Sequence, residues 1–212
     1  MENIRLFYKK TGRLKFISHL DMNRFIIRML RRSHLPVWYT EGFNRHVYVN
    51  FALPLSLGFE SLYEAVDFRL VEPVPFKEIE ERLRAVMPPE IEIIGAAQPV
   101  YKPKDIKFAS YDAVFYGADL TAGLEEFLSA AEIMVEKTGK KGKSSVIDLK
   151  PLIKNYSVEY NGCDTVLSLL LPAGVELNIN PNLLISAFLD GRQFSCGITR
   201  KMLYVNDLKK FE

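Results

Sequence analysis

Two periodicities take turns along this chain, one of about two residues and one of about 3.6. Residues 4–8 alternate, are rich in strand formers and end at Lys-Lys-Thr-Gly, a turn signal. A short apolar stretch follows at 14–17. Ser18 then stands as a helix N-cap with Asp21 three residues on, in a capping-box relation. The helical pattern runs to about Ser33 and stops before Pro36. Residues 47–53 and 62–70 read as strands, with Pro54 and Gly58 between them. Pro75 opens a second helix over 76–86, ended by Pro88-Pro89, and 90–97 is the next strand. That order is β-α-β-β-α-β, the ferredoxin-like arrangement.

The second half repeats the order. Residues 111–118 predict a strand and 122–131 a helix. Strands at 133–137 and 145–149 flank a basic turn, 137–143. Strands at 157–160 and 165–171 pair around Asn161-Gly162, a strong hairpin turn. Pro181 starts a helix to about Leu189, and 198–205 is the last strand. The expectation is therefore an α+β fold of two tandem ferredoxin-like (βαββαβ) units. They occupy 1–98 and 108–212, the second carries an extra hairpin, and 99–107, with Pro99 and Pro103, is a linker.

Composition narrows the class without changing this picture. Of the 212 residues, 48% are hydrophobic and 25% charged, ordinary values for a globular protein. No apolar run approaches about 20 residues and the start lacks a signal-peptide pattern, so the expectation is a cytoplasmic protein with no membrane span. Two distant cysteines, Cys163 and Cys196, build neither a disulfide scaffold nor an iron–sulfur cluster and read as buried thiols. No Walker loop, dinucleotide glycine fingerprint, nucleophile elbow or zinc-protease helix is present. No cofactor is implied.

Charge changes the picture more. The net charge is only +2, yet the first fifty residues hold ten Lys/Arg and three acids, and the next fifty four bases and nine acids. On a helical wheel Arg24, Arg28, Arg31 and Arg32 fall in one sector, and Met22, Phe25, Ile26, Ile27, Met29 and Leu30 fill most of the rest. Arginine's planar fork suits phosphate, and a stripe of four suits a phosphate backbone. Lys9, Lys10, Arg13 and Lys15 extend that surface, and Asn44 and Arg45 of a nearby loop add donors. RNA is the expected partner. The same charges also fit an ordinary solvated helix face.

All three histidines, His19, His34 and His46, lie in the basic block. Ser18-His19-Leu20-Asp21 and Gly42-Phe43-Asn44-Arg45-His46 gather polar groups that suit acid–base work if the helix start and the loop meet. His19, Asp21 and His46 are thus catalytic candidates in an alternative reading, an enzyme acting on RNA or another phosphate-bearing substrate. Their spacing gives no metal site. Glu64 and Asp67 fall on opposite faces of their strand, and one of them is a candidate to approach His19 or Arg45.

The stretch Gly12-Arg13-Leu14-Lys15-Phe16-Ile17-Ser18-His19-Leu20-Asp21, the Gly42–His46 string, and Phe51-Ala52-Leu53-Pro54-Leu55-Ser56-Leu57-Gly58 resemble the bacterial radical-SAM-linked domain of unknown function. The resemblance is dense over residues 4–70. It departs at Arg45-His46-Val47, where that family has proline on both sides of the histidine. The resemblance implies a partner, a cobalamin-binding-type radical SAM protein encoded beside or fused to the domain. It also implies a neighbourhood of a ribonuclease of the E/G type and ribosomal proteins. Together with the basic helix it points to a non-catalytic accessory protein that presents rRNA or tRNA for modification or processing.

Overall fold

The computed structural model describes residues 1–138 and 144–212. It is an α+β fold in two units, Met1–Ile106 with Val205–Glu212, and Lys107–Tyr204. Of the predicted basic turn at 137–143, residues 139–143 lie outside the described residues. Among the described residues no helix is long and apolar enough to cross a membrane.

The first unit runs β1 (Glu2–Lys10), α1 (His19–Arg32), β2 (Val49–Phe51), β3 (Glu60–Leu70), α2 (Phe76–Arg84) and β4 (Ile91–Ala97). β1 lies antiparallel between β4 and β3, and β2 pairs antiparallel with β3. Register places Ile4 opposite Phe68 and Leu6 opposite Val66. Alternate residues of a strand share a face, so these side chains line one side of the sheet. There they meet Met22, Ile26 and Leu30 of α1 and Ile79 and Leu83 of α2. Full burial of each large aliphatic contributes about 1.5–3 kcal/mol.

α1 keeps its predicted ends. The Ser18 hydroxyl accepts the Asp21 N–H at 3.1 Å and donates to the Asp21 carboxylate at 2.7 Å. Ser33 closes the helix, and His34 follows in the left-handed region (φ 55°) two residues before Pro36. The Arg82 guanidinium donates to the His34 carbonyl at 3.0 Å.

The other face of the sheet is covered as well. Arg5, Phe7, Tyr63 and Asp67 point away from the helices, and Phe7 stacks on Tyr63 at 5.2 Å between ring centres. The Arg5 guanidinium sits 4.2 Å over the Phe211 ring. The main-chain oxygen of Glu212 accepts from Arg5 Nη1 at 2.8 Å and from the N–H groups of Val100 and Tyr101 at 3.1 and 3.0 Å. This corrects two boundaries. The tail Val205–Glu212, expected with the second unit, belongs to the first. The segment 99–107, expected as a linker, is tied to that tail and holds a 3-10 turn at Pro103–Asp105. Both rest on bonds between segments far apart in the chain, in which one main-chain oxygen serves three donors.

The second unit runs β5 (Phe108–Phe115), α3 (Thr121–Ser129), β6 (Met134–Thr138), β7 (Ser144–Asp148), β8 (Asn155–Tyr160), β9 (Thr165–Pro172), α4 (Pro181–Leu189) and β10 (Cys196–Tyr204). Its sheet has the order β10-β5-β9-β8, all antiparallel. β6 and β7 form a separate two-stranded sheet inserted between α3 and β8. At the β8–β9 turn Gly162 adopts φ 91°, and the Asn161 side chain accepts the N–H groups of Cys163 and Asp164 at 3.0 and 2.8 Å. That tight turn leaves Cys163 exposed, contrary to the expectation of two buried thiols. Cys196 is half-buried, and burial pushes its thiol up to about 11.

Candidate nucleic-acid interface

α1 is amphipathic as its wheel predicts. Met22, Ile26, Met29 and Leu30 are buried, and Arg24, Arg28, Arg31 and Arg32 are all exposed. The helix carries one acid, Asp21, whose carboxylate engages Arg24 at 3.3 Å. Arg31 lies 5.7 Å over the Tyr39 ring. Among the described residues Arg28 and Arg32 meet no acid. Two adjacent guanidinium groups without counter-charges, in the last turns of a helix whose dipole favours them there, form a surface ready for an external anion.

The flanking bases divide. Arg13 is almost fully exposed and reaches Glu90 only at 3.7 Å. Lys15 approaches Glu60 at 3.7 Å and lies over the Phe16 ring. Lys9 is held by both oxygens of Glu92 at 2.9 and 3.0 Å, its direct cross-strand partner. Lys10 is 4% exposed, so it does not extend the surface as expected. Its strand pairs on both edges there, with Ser61 and with Ile91. Asn44 and Arg45 are exposed, in a loop that Gly42 opens at φ 111°.

Each of the three acid–base candidates has a partner in the first unit. The His19 ring meets the Phe51 ring edge-on at 4.9 Å. Asp21 serves Ser18 and Arg24. His46 Nδ1 lies 3.1 Å from the Thr40 hydroxyl and 3.0 Å from the Asn44 carbonyl, and its N–H donates to Thr40 Oγ1 at 3.2 Å. Among the described residues no cluster of His, Cys, Asp or Glu has the make-up of a metal site.

Among the described residues Asp67 is bonded to neither His19 nor Arg45. It receives Arg5 Nε at 2.6 Å and Nη2 at 2.8 Å, a two-point pair in which Arg5 is completely buried. Beside it, Arg69 lies between two aromatic rings, 5.2 Å from the centre of Trp38 and 4.6 Å from that of Tyr48. Its Nε donates to Asn3 Oδ1 at 3.0 Å. Sequence reading missed this group. Its one visible signal was a pair of aromatics at the two roots of the Gly42 loop, which the structure joins through the Tyr48 N–H and the Trp38 carbonyl at 3.4 Å. In the second unit an open cleft of about 840 Å³ runs along α3 and α4, and Asp119, Glu125 and Glu126 line it. Arg192 lines it too, so the cleft carries charges of both signs, unlike the acid-poor arginine stripe of α1.

Among solved structures, a chain of the crystal structure of a Cbf5-Nop10-Gar1 complex is similar at a TM-score of 0.49 with 13% identity. The match covers 95% of this chain and 50% of that one, so this chain spans about half its length. A similarity at that level carries no functional argument. No curated protein matches. The family model described as "Uncharacterized protein conserved in bacteria (DUF2344)" matches residues 3–181, and the chain belongs to that family.

Proposed function

We propose that this chain is a non-catalytic RNA-binding protein that works with a radical SAM enzyme in rRNA or tRNA modification or processing. The observation that carries the RNA reading is the exposed arginine stripe of α1, in which Arg28 and Arg32 face solvent with no acid among the described residues. Phosphate is the anion that a row of guanidinium forks fits, and its release of counterions makes binding steeply dependent on salt. We read both units as ferredoxin-like, since each has the order β-α-β-β-α-β once the β6–β7 hairpin is set aside. The radical SAM partner rests on the resemblance of residues 4–70. That His19, Asp21 and His46 each already have partners favours an accessory role over acid–base chemistry.

The test is affinity for a structured RNA as a function of salt. Four phosphate contacts give a slope of log affinity against log salt of about −3, and Arg28→Glu with Arg32→Glu brings it to about −1. A slope unchanged by the double reversal removes the stripe from the interface and the RNA reading with it.

A further inference from the structure

On the sheet face opposite the helices, the first unit has a cleft of about 270 Å³ lined in part by the Arg5–Asp67 pair. Small-molecule sites span about 300–1,000 Å³, so there is room for a single ring system rather than a peptide or an extended cofactor. We infer that this cleft takes the base of one unpaired nucleotide. The inference rests on the RNA reading and deepens it, by naming an unstacked base as what the protein recognises beyond phosphate.

The cleft's chemistry suits a planar heterocycle. Asp67 has acceptor sites for about four hydrogen bonds, and Arg5 takes two. The Asp67 side chain is 13% exposed, which leaves acceptor capacity for a ring or amino N–H. The Asp67 charge is already balanced by Arg5, so the pair attracts neither a metal ion nor a free anion. Asn3 stands at the rim. Its carbonyl is occupied by Arg69, which fixes the amide so that its NH₂ faces partners other than Arg69.

Two tyrosines, Tyr48 and Tyr101, supply the aromatic surface on which an unstacked base is held. Tyr48 is already braced, with Arg69 over its ring and the Trp38 ring edge-on at 6.2 Å. A wall fixed before binding loses little conformational freedom on binding. Lys102 lines the cleft too, and its N–H is anchored by Asp105 at 2.8 Å, which leaves the exposed ammonium for the nucleotide's phosphate.

Two RNA hairpins with the same stem, one fully paired and one with a single bulged nucleotide, separate the possibilities in a filter-binding titration. The bulged hairpin is expected to bind at least about tenfold tighter, the worth of one stacked base. Tyr101→Ala and, separately, the surface change Lys102→Ala narrow that gap while both proteins stay folded by circular dichroism. Arg28→Glu with Arg32→Glu weakens both hairpins alike. Equal affinity of the unaltered protein for the two hairpins, or a gap that persists in both cleft variants, overturns the cleft and leaves the RNA reading standing. Binding to either hairpin that ignores salt and the arginine reversal overturns the RNA reading itself.

Discussion

Arginine does opposite work on the two faces of the first unit's sheet. On the helix side, Arg28 and Arg32 stand in solvent with no acid among the described residues. On the other side Arg5 is fully buried, paired twice with Asp67, bonded to the Glu212 main chain and stacked on Phe211. A guanidinium bonded through each of its three nitrogens holds a structure together; one whose donors face water is available to a partner. The contrast lies in how many acceptors the fold brings to each group rather than in the residue type.

The buried side gives the largest expected effect. Asp67→Ala leaves the Arg5 charge desolvated and without its carboxylate, at a cost of about 3–5 kcal/mol in denaturant unfolding. Replacing both partners together, Arg5→Met with Asp67→Leu, recovers most of that loss, because matched apolar groups carry no unpaired charge. A single variant as stable as the unaltered chain means that the pair does not hold the tail on the sheet. Arg28→Glu with Arg32→Glu changes stability by no more than about 0.5 kcal/mol, while RNA affinity falls by at least about tenfold. If the same substitutions unfold the protein, the contrast between the two faces fails.

The helix side was legible because everything that defines it is local. Ser18, Asp21 and the 3.6-residue spacing of Met22, Ile26, Met29 and Leu30 fix both the ends and the orientation of α1 within one short stretch of chain. Strand positions were legible for the same reason: alternation at 4–8 and 62–70 already separates the two faces of β1 and β3. Alternation does not say what covers the second face. Arg5 reads as a solvent-facing residue until Glu212 and Phe211 return from the far end of the chain, a contact that no local pattern encodes. Lys10 was misread for a related reason, since counting charge along the sequence cannot see a strand end paired on both edges. Of the acid–base candidates, Asp21 and His46 contact residues close in sequence, Ser18 and Thr40, whereas His19 meets Phe51 from a distant strand, a contact that no local pattern encodes.

Loss of the α1 cap is a smaller probe of the helix side. Ser18→Ala removes the acceptor for the Asp21 N–H and costs about 1 kcal/mol, read as a lower unfolding midpoint. The arginines stay in place once the helix is folded, so RNA affinity measured well below the midpoint is expected to change less than twofold, an order-of-magnitude bound set by their distance from the cap. A large loss of affinity at full folding instead points to Ser18 or Asp21 touching the RNA directly.

The buried side has its own weaker probe in Tyr63, whose hydroxyl donates to the Phe211 carbonyl at 2.9 Å next to the Arg5 pair. Burial, and secondarily the Glu212 charge, raise its pKa above the usual tyrosine value, with Arg5 opposing. An ordinary tyrosine loses its proton near pH 10. Above that pH the unfolded chain gives up the proton while the folded chain keeps it, so the unfolded state binds fewer protons and stability falls as pH rises. Tyr63→Phe removes that dependence and, by losing the hydrogen bond, costs about 1 kcal/mol at neutral pH. Denaturant unfolding at about pH 9 and about pH 11 therefore shows a larger drop for the unaltered chain than for Tyr63→Phe. Equal drops place the Tyr63 hydroxyl in water and open the tail-covered face to the solvent that the arginine stripe already meets.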